Sequence, residues 1–330
     1  MPVQTQHKPR RALSRQIGFD LPASLSELSL AALRHWHQQG LDAWRAGQTT
    51  SGRTDWLAIK LALTRHLLQQ CNFCVHNCRV DRSRGQFGYC RLGSASPLAG
   101  SYLHHGEEPP IRPTWALFFS GCTMHCSYCH NWRETFHFDA SEAFPMQTVI
   151  EDLQQANGQY KTLSLIGGTP EPHLHTILEL ARQLPAEITA PLVLNHNATL
   201  SAEGLDLMAG VVDIYLPDFK HGNNACAWQL TKIQGYTESV LANLRAAREQ
   251  RAGVLVRHLV LPGHLDCCTR PTLEQLAEEF KDLALNVMFQ YRPMYKAEQQ
   301  AGLNRQLQAA ERETVRQWVS ELKLSLVTPI

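Results

Sequence analysis

Cys122, Cys126 and Cys129 stand within eight residues of one another, in the run Phe-Phe-Ser-Gly-Cys-Thr-Met-His-Cys-Ser-Tyr-Cys-His-Asn-Trp at positions 118–132. Three thiolates at this spacing can hold one metal centre, but they are one ligand short of a closed tetrahedral zinc or iron–sulfur site. A cubane [4Fe–4S] cluster on three cysteines keeps one iron open. That iron needs a ligand from outside the chain, and chemistry would occur there. The competing reading is a Cys3His zinc site with His125 or His130 as fourth ligand.

A second set is complete. Cys71-Asn-Phe-Cys74-Val-His-Asn-Cys78 and Gly85-Gln-Phe-Gly88-Tyr-Cys90 bring four thiols close in sequence. Four thiolates suit either zinc or [4Fe–4S]. The sulfur-rich neighbourhood favours a second iron–sulfur cluster over zinc. Seven of the ten cysteines lie between 71 and 129, and the N-terminus shows no apolar export signal. Clustered thiols of this kind read as metal ligands in a reducing compartment, the cytoplasm, and not as a disulfide framework. Cys226, Cys267 and Cys268 show no partner pattern and read as thiols without function, although a vicinal pair can be redox-active.

The elements that must position these groups follow from the apolar pattern. The 330 residues carry 44% hydrophobic and 18% charged side chains with a net charge of +1, an ordinary globular composition. Neutral charge speaks against nucleic acid, and no apolar run is long enough to span a membrane. Residues 1–18, with the basic run Lys8-Pro9-Arg10-Arg11, read as a disordered, solvated tail. Residues 19–70 read as a helical lead-in, with Leu25, Leu28, Leu30, Leu33 and Trp36 in near-helical spacing and Ser24 or Ser26 as cap. The stretch 71–110 is the four-cysteine unit. From 111 to 330, strand, loop and helix alternate.

Short apolar runs at 116–120, 162–166, 192–194, 211–216, 254–260 and 287–291 predict strands buried on both faces. Helices are expected near 146–156, 172–183, 201–209, 237–250, 271–283 and 305–322. This α/β alternation implies a parallel sheet with right-handed crossovers, a partial (β/α)6 barrel whose functional groups sit at the C-terminal strand ends. The unusual residues fall there: Cys122, then Gly167-Gly168-Thr169, Asn195-His196, Asp218-Phe219-Lys220 and Arg257.

The C-x3-C-x2-C run resembles the signature of radical S-adenosylmethionine (SAM) enzymes. The order of motifs, including His105-Gly106-Glu107-Glu108-Pro109-Pro110, is similar to that of the glycyl-radical-enzyme activating enzymes and of a pyruvate formate-lyase activating enzyme-like group. The resemblance spans about residues 71–293, about two thirds of the chain. It implies a [4Fe–4S] cluster with SAM on the open iron, and an electron that cleaves SAM to a 5′-deoxyadenosyl radical. It implies that Tyr128 lies beside the cofactor and that Gly167-Gly168 meets the SAM amino group. Thr169 stands where the family usually has an acidic residue. Arg257 would grip the SAM carboxylate, and His258 would be packed on the opposite face. Asp218 and Lys220 match an Asp-x-Lys near SAM and the peptide substrate, or form a plain ion pair. Asn195 and His196 replace the family's third-strand pair.

The resemblance further implies an electron donor such as flavodoxin or ferredoxin, and a protein or peptide as substrate. Radical modification of a small molecule or of another peptide residue is the alternative within enzymes. From another class comes a zinc-stabilised binding module without catalysis.

Overall fold

The computed structural model describes residues 9–329. Short Val-, Leu-, Ile- and Phe-rich segments form one seven-stranded sheet, as expected of strands covered on both sides. Its members are β3 (Leu98–His104), β4 (Thr114–Phe119), β5 (Thr162–Gly167), β6 (Leu192–His196), β7 (Ile214–Pro217), β8 (Gly253–Leu259) and β9 (Ala284–Met288), adjacent in chain order. A ribbon of β1 (Gly18–Phe19) and β2 (Thr54–Asp55) stands apart from this sheet. From β4 to β9 every pairing is parallel, so the expected partial barrel of six βα units is present. The strand expected at 287–291 lies three residues earlier, because Phe289 and Tyr291 continue the apolar run as packing groups beyond the strand.

β3 was not among the expected strands. It pairs antiparallel with β4, from Leu98↔Phe119 to His104↔Thr114, and so adds an edge to the barrel from within the 71–110 stretch. The loop after it turns into the barrel, where Ile111 packs with Val193, Ile214, Leu216 and Leu255.

Helices cover the outside of the sheet. After α1 (Arg10–Ser14), the lead-in consists of α2 (Leu30–Arg45) and α3 (Trp56–Leu67). Ser29 caps α2, accepting from the Ala32 N–H at 3.2 Å, while Ser24 turns instead to Glu27. Next come α4 (Trp132–Phe136), α5 (Met146–Gln155), α6 (Leu174–Gln183), α7 (Ala202–Met208), α8 (Asn224–Thr231), α9 (Tyr236–Glu249), α10 (Arg270–Glu279) and α11 (Ala309–Leu322). The lead-in packs on the barrel through α3, which is buried nearly all round and touches α6. Lys60 of α3 is fully buried, and the loss of water pushes its amine well below the ordinary lysine range. It donates to the carbonyls of Leu207 at 2.9 Å and Ala209 at the end of α7, satisfying groups a helix terminus leaves open.

The expectation of a solvated tail over 1–18 does not hold for the part described. Arg11 is buried and donates to the carbonyls of Ala190 at 3.0 Å and Ile188, and Ser14 donates to the Gly210 carbonyl. The Arg10 N–H reaches Asp213 at 2.9 Å. These donors satisfy loop carbonyls, which is why a basic run packs here. Residues 1–8 lie outside the described residues.

Candidate active site

The loop that follows β4 carries Cys122, Cys126 and Cys129, the first two buried and the third half-buried. Its backbone is held by α8, since the His125 N–H donates to the Thr231 carbonyl at 3.0 Å and the Ser127 N–H to the Leu230 carbonyl at 2.8 Å. Donors also point at the sulfurs: Asn197 Nδ2 to Cys122 Sγ at 3.1 Å, and the Met124 N–H to the same sulfur at 3.3 Å. Burial pushes the thiols of Cys122, Cys126 and Cys129 up, Cys126 to about 12, and neighbouring cysteines add to the effect at Cys122 and Cys126. As free thiols they are protonated at neutral pH, and a bound metal is what would make them thiolates. N–H donors aimed at sulfur suit that state. Of the two imidazoles in the competing zinc reading, His130 has its Nε2 against the Arg292 carbonyl at 3.2 Å, and His125 has its ring stacked on Tyr89.

The three cysteines open into a cavity of about 350 Å³, which is also lined by Tyr128, Gly167, Gly168, Asn195, Asp218, Lys220 and Arg257. Of the residues expected at the site, Thr169 alone among the non-cysteine set turns away. Its hydroxyl donates to Glu171 at 3.1 Å. The two glycines have a reason besides a ligand. A Cβ on Gly167 would lie 2.1 Å from the Phe119 carbonyl oxygen, at φ +131°, and one on Gly168 would lie 2.0 Å from that of Gly121. Only glycine lets β5 end this close to the cysteine loop.

Glu171 is the organiser that sequence reading missed. Fully buried, it accepts from Thr123 Oγ1 at 2.7 Å, the Thr199 N–H at 2.7 Å and Thr199 Oγ1 at 2.6 Å, and meets His196 Nδ1 at 3.4 Å. Burial acts against its charge, but these donors outweigh it and hold the carboxyl below its ordinary value. It sits two residues beyond Thr169 and ties the cysteine loop to the end of β6. Asn195 Nδ2 and His196 Nε2 are buried without a partner among the described residues.

At the end of β7, Asp218 and Lys220 form an ion pair, and Tyr236 braces them by donating to the Asp218 carbonyl at 2.7 Å and accepting from the Lys220 N–H at 3.0 Å. Burial works against the Lys220 charge. Asp218 overcomes it and holds the ammonium above its ordinary range. Arg257 on β8 has found its anion within the chain. Its Nε donates to Glu108 at 2.6 Å, and its Nη2 to Glu108 at 2.6 Å and to Glu107. Asn286 adds a bond to Glu108 at 2.7 Å. The two-point fork expected for the SAM carboxylate is therefore spent on the loop after β3. Nη1 takes no partner among the described residues. His258 faces the other way, bonded to the Phe219 carbonyl at 2.7 Å and to Thr269 at 3.0 Å, as expected of a packed histidine.

Cys71, Cys74, Cys78 and Cys90 surround one small void together with Arg82. Arg82 is fully buried and has no carboxylate partner among the described residues. It donates to the carbonyls of Gly93 at 2.8 Å and Pro172 at 2.9 Å, and its Nη1 lies 3.7 Å from Cys71 Sγ. The Tyr89 N–H points at Cys78 Sγ at 3.4 Å. A buried cation and an N–H donor on the sulfurs fit a centre with four thiolates, whether zinc or iron–sulfur. A stack of three rings joins this unit to the first loop. Tyr89 lies between His76, with centroids 3.8 Å apart, and His125, at 4.1 Å.

The model of the Radical SAM superfamily matches residues 117–283. A protein of Methanocaldococcus jannaschii, "Uncharacterized protein MJ0674", is 35% identical over 277 residues, covering 82% of this chain and 80% of that protein. The chain belongs to the radical SAM superfamily. Members bind a [4Fe–4S] cluster and SAM, and the three-cysteine loop is the part of this chain that fits them. Among solved structures, methylornithine synthase (PylB) is similar with a TM-score of 0.48 at 12% identity, over 92% of this chain and 76% of that one. Streptococcus suis SuiB bound to S-adenosylmethionine is similar with a TM-score of 0.46 at 13% identity, over 63% of this chain and 48% of that one. The chain thus spans about half the length of SuiB. No helix among the described residues is long and apolar enough to cross a membrane.

Proposed function

We propose that this chain binds SAM in the cavity above Cys122, Cys126 and Cys129 and uses it to abstract hydrogen from a protein or peptide, with glycyl-radical activation as the reading its motif order supports. The observation that carries the proposal is the convergence of the three thiols, Gly167-Gly168, Asn195, the Asp218–Lys220 pair and Arg257 on one cavity. When bound, a three-cysteine cluster with SAM supplies the electron that breaks the C–S bond and frees a 5′-deoxyadenosyl radical. The chain's own part is to hold and orient. Tyr128 walls the cavity, and the backbone carbonyls at Gly167-Gly168 are the acceptors for the SAM amino group. The unpartnered amide of Asn195 gives a donor, and Nη1 of Arg257 gives the SAM carboxylate one charged contact. Asp218 and Lys220 face the space left for substrate.

Cys71, Cys74, Cys78 and Cys90 hold a second metal centre in this reading, and an external donor such as flavodoxin or ferredoxin delivers the electron. The test is anaerobic reconstitution followed by dithionite and SAM. 5′-Deoxyadenosine should form with wild type and not with the Cys122→Ala/Cys126→Ala/Cys129→Ala variant. Product from that triple variant, or a wild type that takes up no iron, would end the radical SAM reading. A mass shift on a candidate partner protein, read anaerobically, tests the substrate.

A further inference from the structure

The three cysteines that sequence left unassigned meet in space. Cys226, in the first turn of α8, lies against the turn between β8 and α10 that carries His264, Cys267 and Cys268, and the four ligand atoms are all within 4.8 Å of one another. Among these pairs, Cys267 Sγ lies 3.3 Å from His264 Nδ1, Cys226 Sγ 3.9 Å from His264 Nδ1, and Cys267 Sγ 4.0 Å from Cys268 Sγ. A tetrahedral zinc ion with Zn–S of about 2.3 Å and Zn–N of about 2.0 Å sets its ligand atoms about 3.5–3.8 Å apart. We propose that Cys226, His264, Cys267 and Cys268 form a closed Cys3His site for a single zinc ion, separate from both cysteine units of the N-terminal half and independent of the radical SAM reading.

Three features of the surroundings fit. A donor already points at one sulfur, Asn223 Nδ2 at Cys226 Sγ at 3.3 Å, and His221 Nδ1 lies 3.4 Å from Cys268 Sγ, where the tautomer protonated at Nδ1 donates to a thiolate. Such N–H···S bonds are the outer support that orients metal-bound thiolates. The turn at Leu265–Thr269 is wound as a π-helix, a local widening that recurs at functional positions, and here it places two adjacent cysteines toward one point. Cys226, His264 and Cys267 are half-buried while Cys268 is buried, so an ion can enter from solvent and be enclosed. All four positions are filled by protein, which makes the site structural, with no place for a substrate.

Its place explains what it would hold. α8 anchors the loop of Cys122, Cys126 and Cys129 through Thr231 and Leu230, so zinc on Cys226 would lock that helix to the turn after β8. With Cys268 as thiolate, His221 Nδ1 carries the proton. Its Nε2 then accepts from the Tyr128 hydroxyl at 2.9 Å, which fixes the aromatic wall of the cavity.

The test compares the full chain with Cys226→Ser/Cys267→Ser and with His264→Gln, each purified under reducing conditions, by metal analysis. Wild type should carry one zinc more per chain than the double variant, with equal iron in both. Cobalt added in place of zinc should give tetrahedral thiolate bands that exceed those of the double variant by one cobalt per chain, whatever the four-cysteine unit holds. His264→Gln, the mildest change, should keep the fold and bind zinc at least 10-fold more weakly. Equal zinc in wild type and a folded double variant would overturn the proposal, as would a Cys226–Cys267 disulfide in the purified wild type. Should the double variant fail to fold, X-ray absorption at the zinc edge of wild type decides: no zinc, or zinc with sulfur ligands only, rejects the site. Loss of 5′-deoxyadenosine formation with zinc retained would instead count against the radical SAM reading.

Discussion

Tyr89 lies flat on His125, with ring centroids 4.1 Å and planes 16° apart, and so ties the four-cysteine unit to the loop of Cys122, Cys126 and Cys129. His76 covers the other face at 3.8 Å and 20°. Each aromatic contact contributes about 0.5–1.5 kcal/mol beyond burial. Tyr89→Ala should therefore cost about 2–3 kcal/mol in denaturant unfolding and should loosen metal at Cys78 and Cys90. Tyr89→Phe keeps the stack and loses only the hydroxyl bond to the Lys232 carbonyl at 3.3 Å, so it should behave as wild type. Equal stability of the two variants would show that the stack carries no load.

Arg257 and Glu108 sit 149 residues apart in sequence and share two bonds in the barrel. Removing the guanidinium leaves Glu107 and Glu108 buried without their cation, which should cost about 3–5 kcal/mol in Arg257→Ala. Changing both glutamates to glutamine in that background should recover part of the loss. Arg257→Lys tests the cofactor contact. Losing one charge-assisted bond is worth about 1.5–3 kcal/mol, or about 10- to 150-fold in SAM affinity. Equal dissociation constants in an anaerobic titration would leave Arg257 as the counter-ion of the glutamates alone.

Glu171 gathers donors from three segments, and glutamine cannot accept from all of them. Glu171→Gln should cost about 2–3 kcal/mol, as expected when buried donors lose a charged acceptor. It should also speed the loss of iron from the open-iron loop, because Thr123 follows Cys122 directly. Metal in the four-cysteine unit should stay. Iron release at the wild-type rate would show that Thr123 needs no carboxylate.

The barrel was legible in the sequence because strands buried on both faces leave short runs of one kind of residue. β3 left no such run. Leu98-Ala-Gly-Ser-Tyr-Leu-His104 is half-exposed along its length and mixes glycine, serine and histidine. Local spacing revealed the two cysteine units, since their ligands lie close in the chain. Distance along the chain hid the rest. Glu107 and Glu108 reach Arg257 across most of the barrel, and Cys226 meets Cys267 only because α8, too short and polar at its start to be read, turns it inward. Glu171 was invisible for another reason: a single acid beside two prolines shows nothing of the hydroxyls that will surround it.

Glu311 gives a pH test that does not depend on any cofactor contact. At the start of α11 its carboxylate accepts from Arg305 at 2.6 Å, the Gln308 N–H at 2.8 Å and the Gly263 N–H at 3.0 Å, fastening the turn that carries His264. The bond to Arg305 is the main cause that brings its carboxyl down to about 2 from 4.5. A carboxyl that is more acidic in the folded state stabilises the fold above its unfolded value, and that contribution fades as pH falls from 4.5 toward about 2. Glu311→Gln keeps the shape and removes the charge, and at pH 7 it should lower stability by about 1–3 kcal/mol. Acid lability common to both proteins cancels when the two unfolding midpoints are subtracted. The gap between them should be constant above pH 5 and shrink steadily below it. A gap that stays the same down to pH 3 would mean that the protonated Glu311 carboxyl caps α11 as well as the carboxylate does.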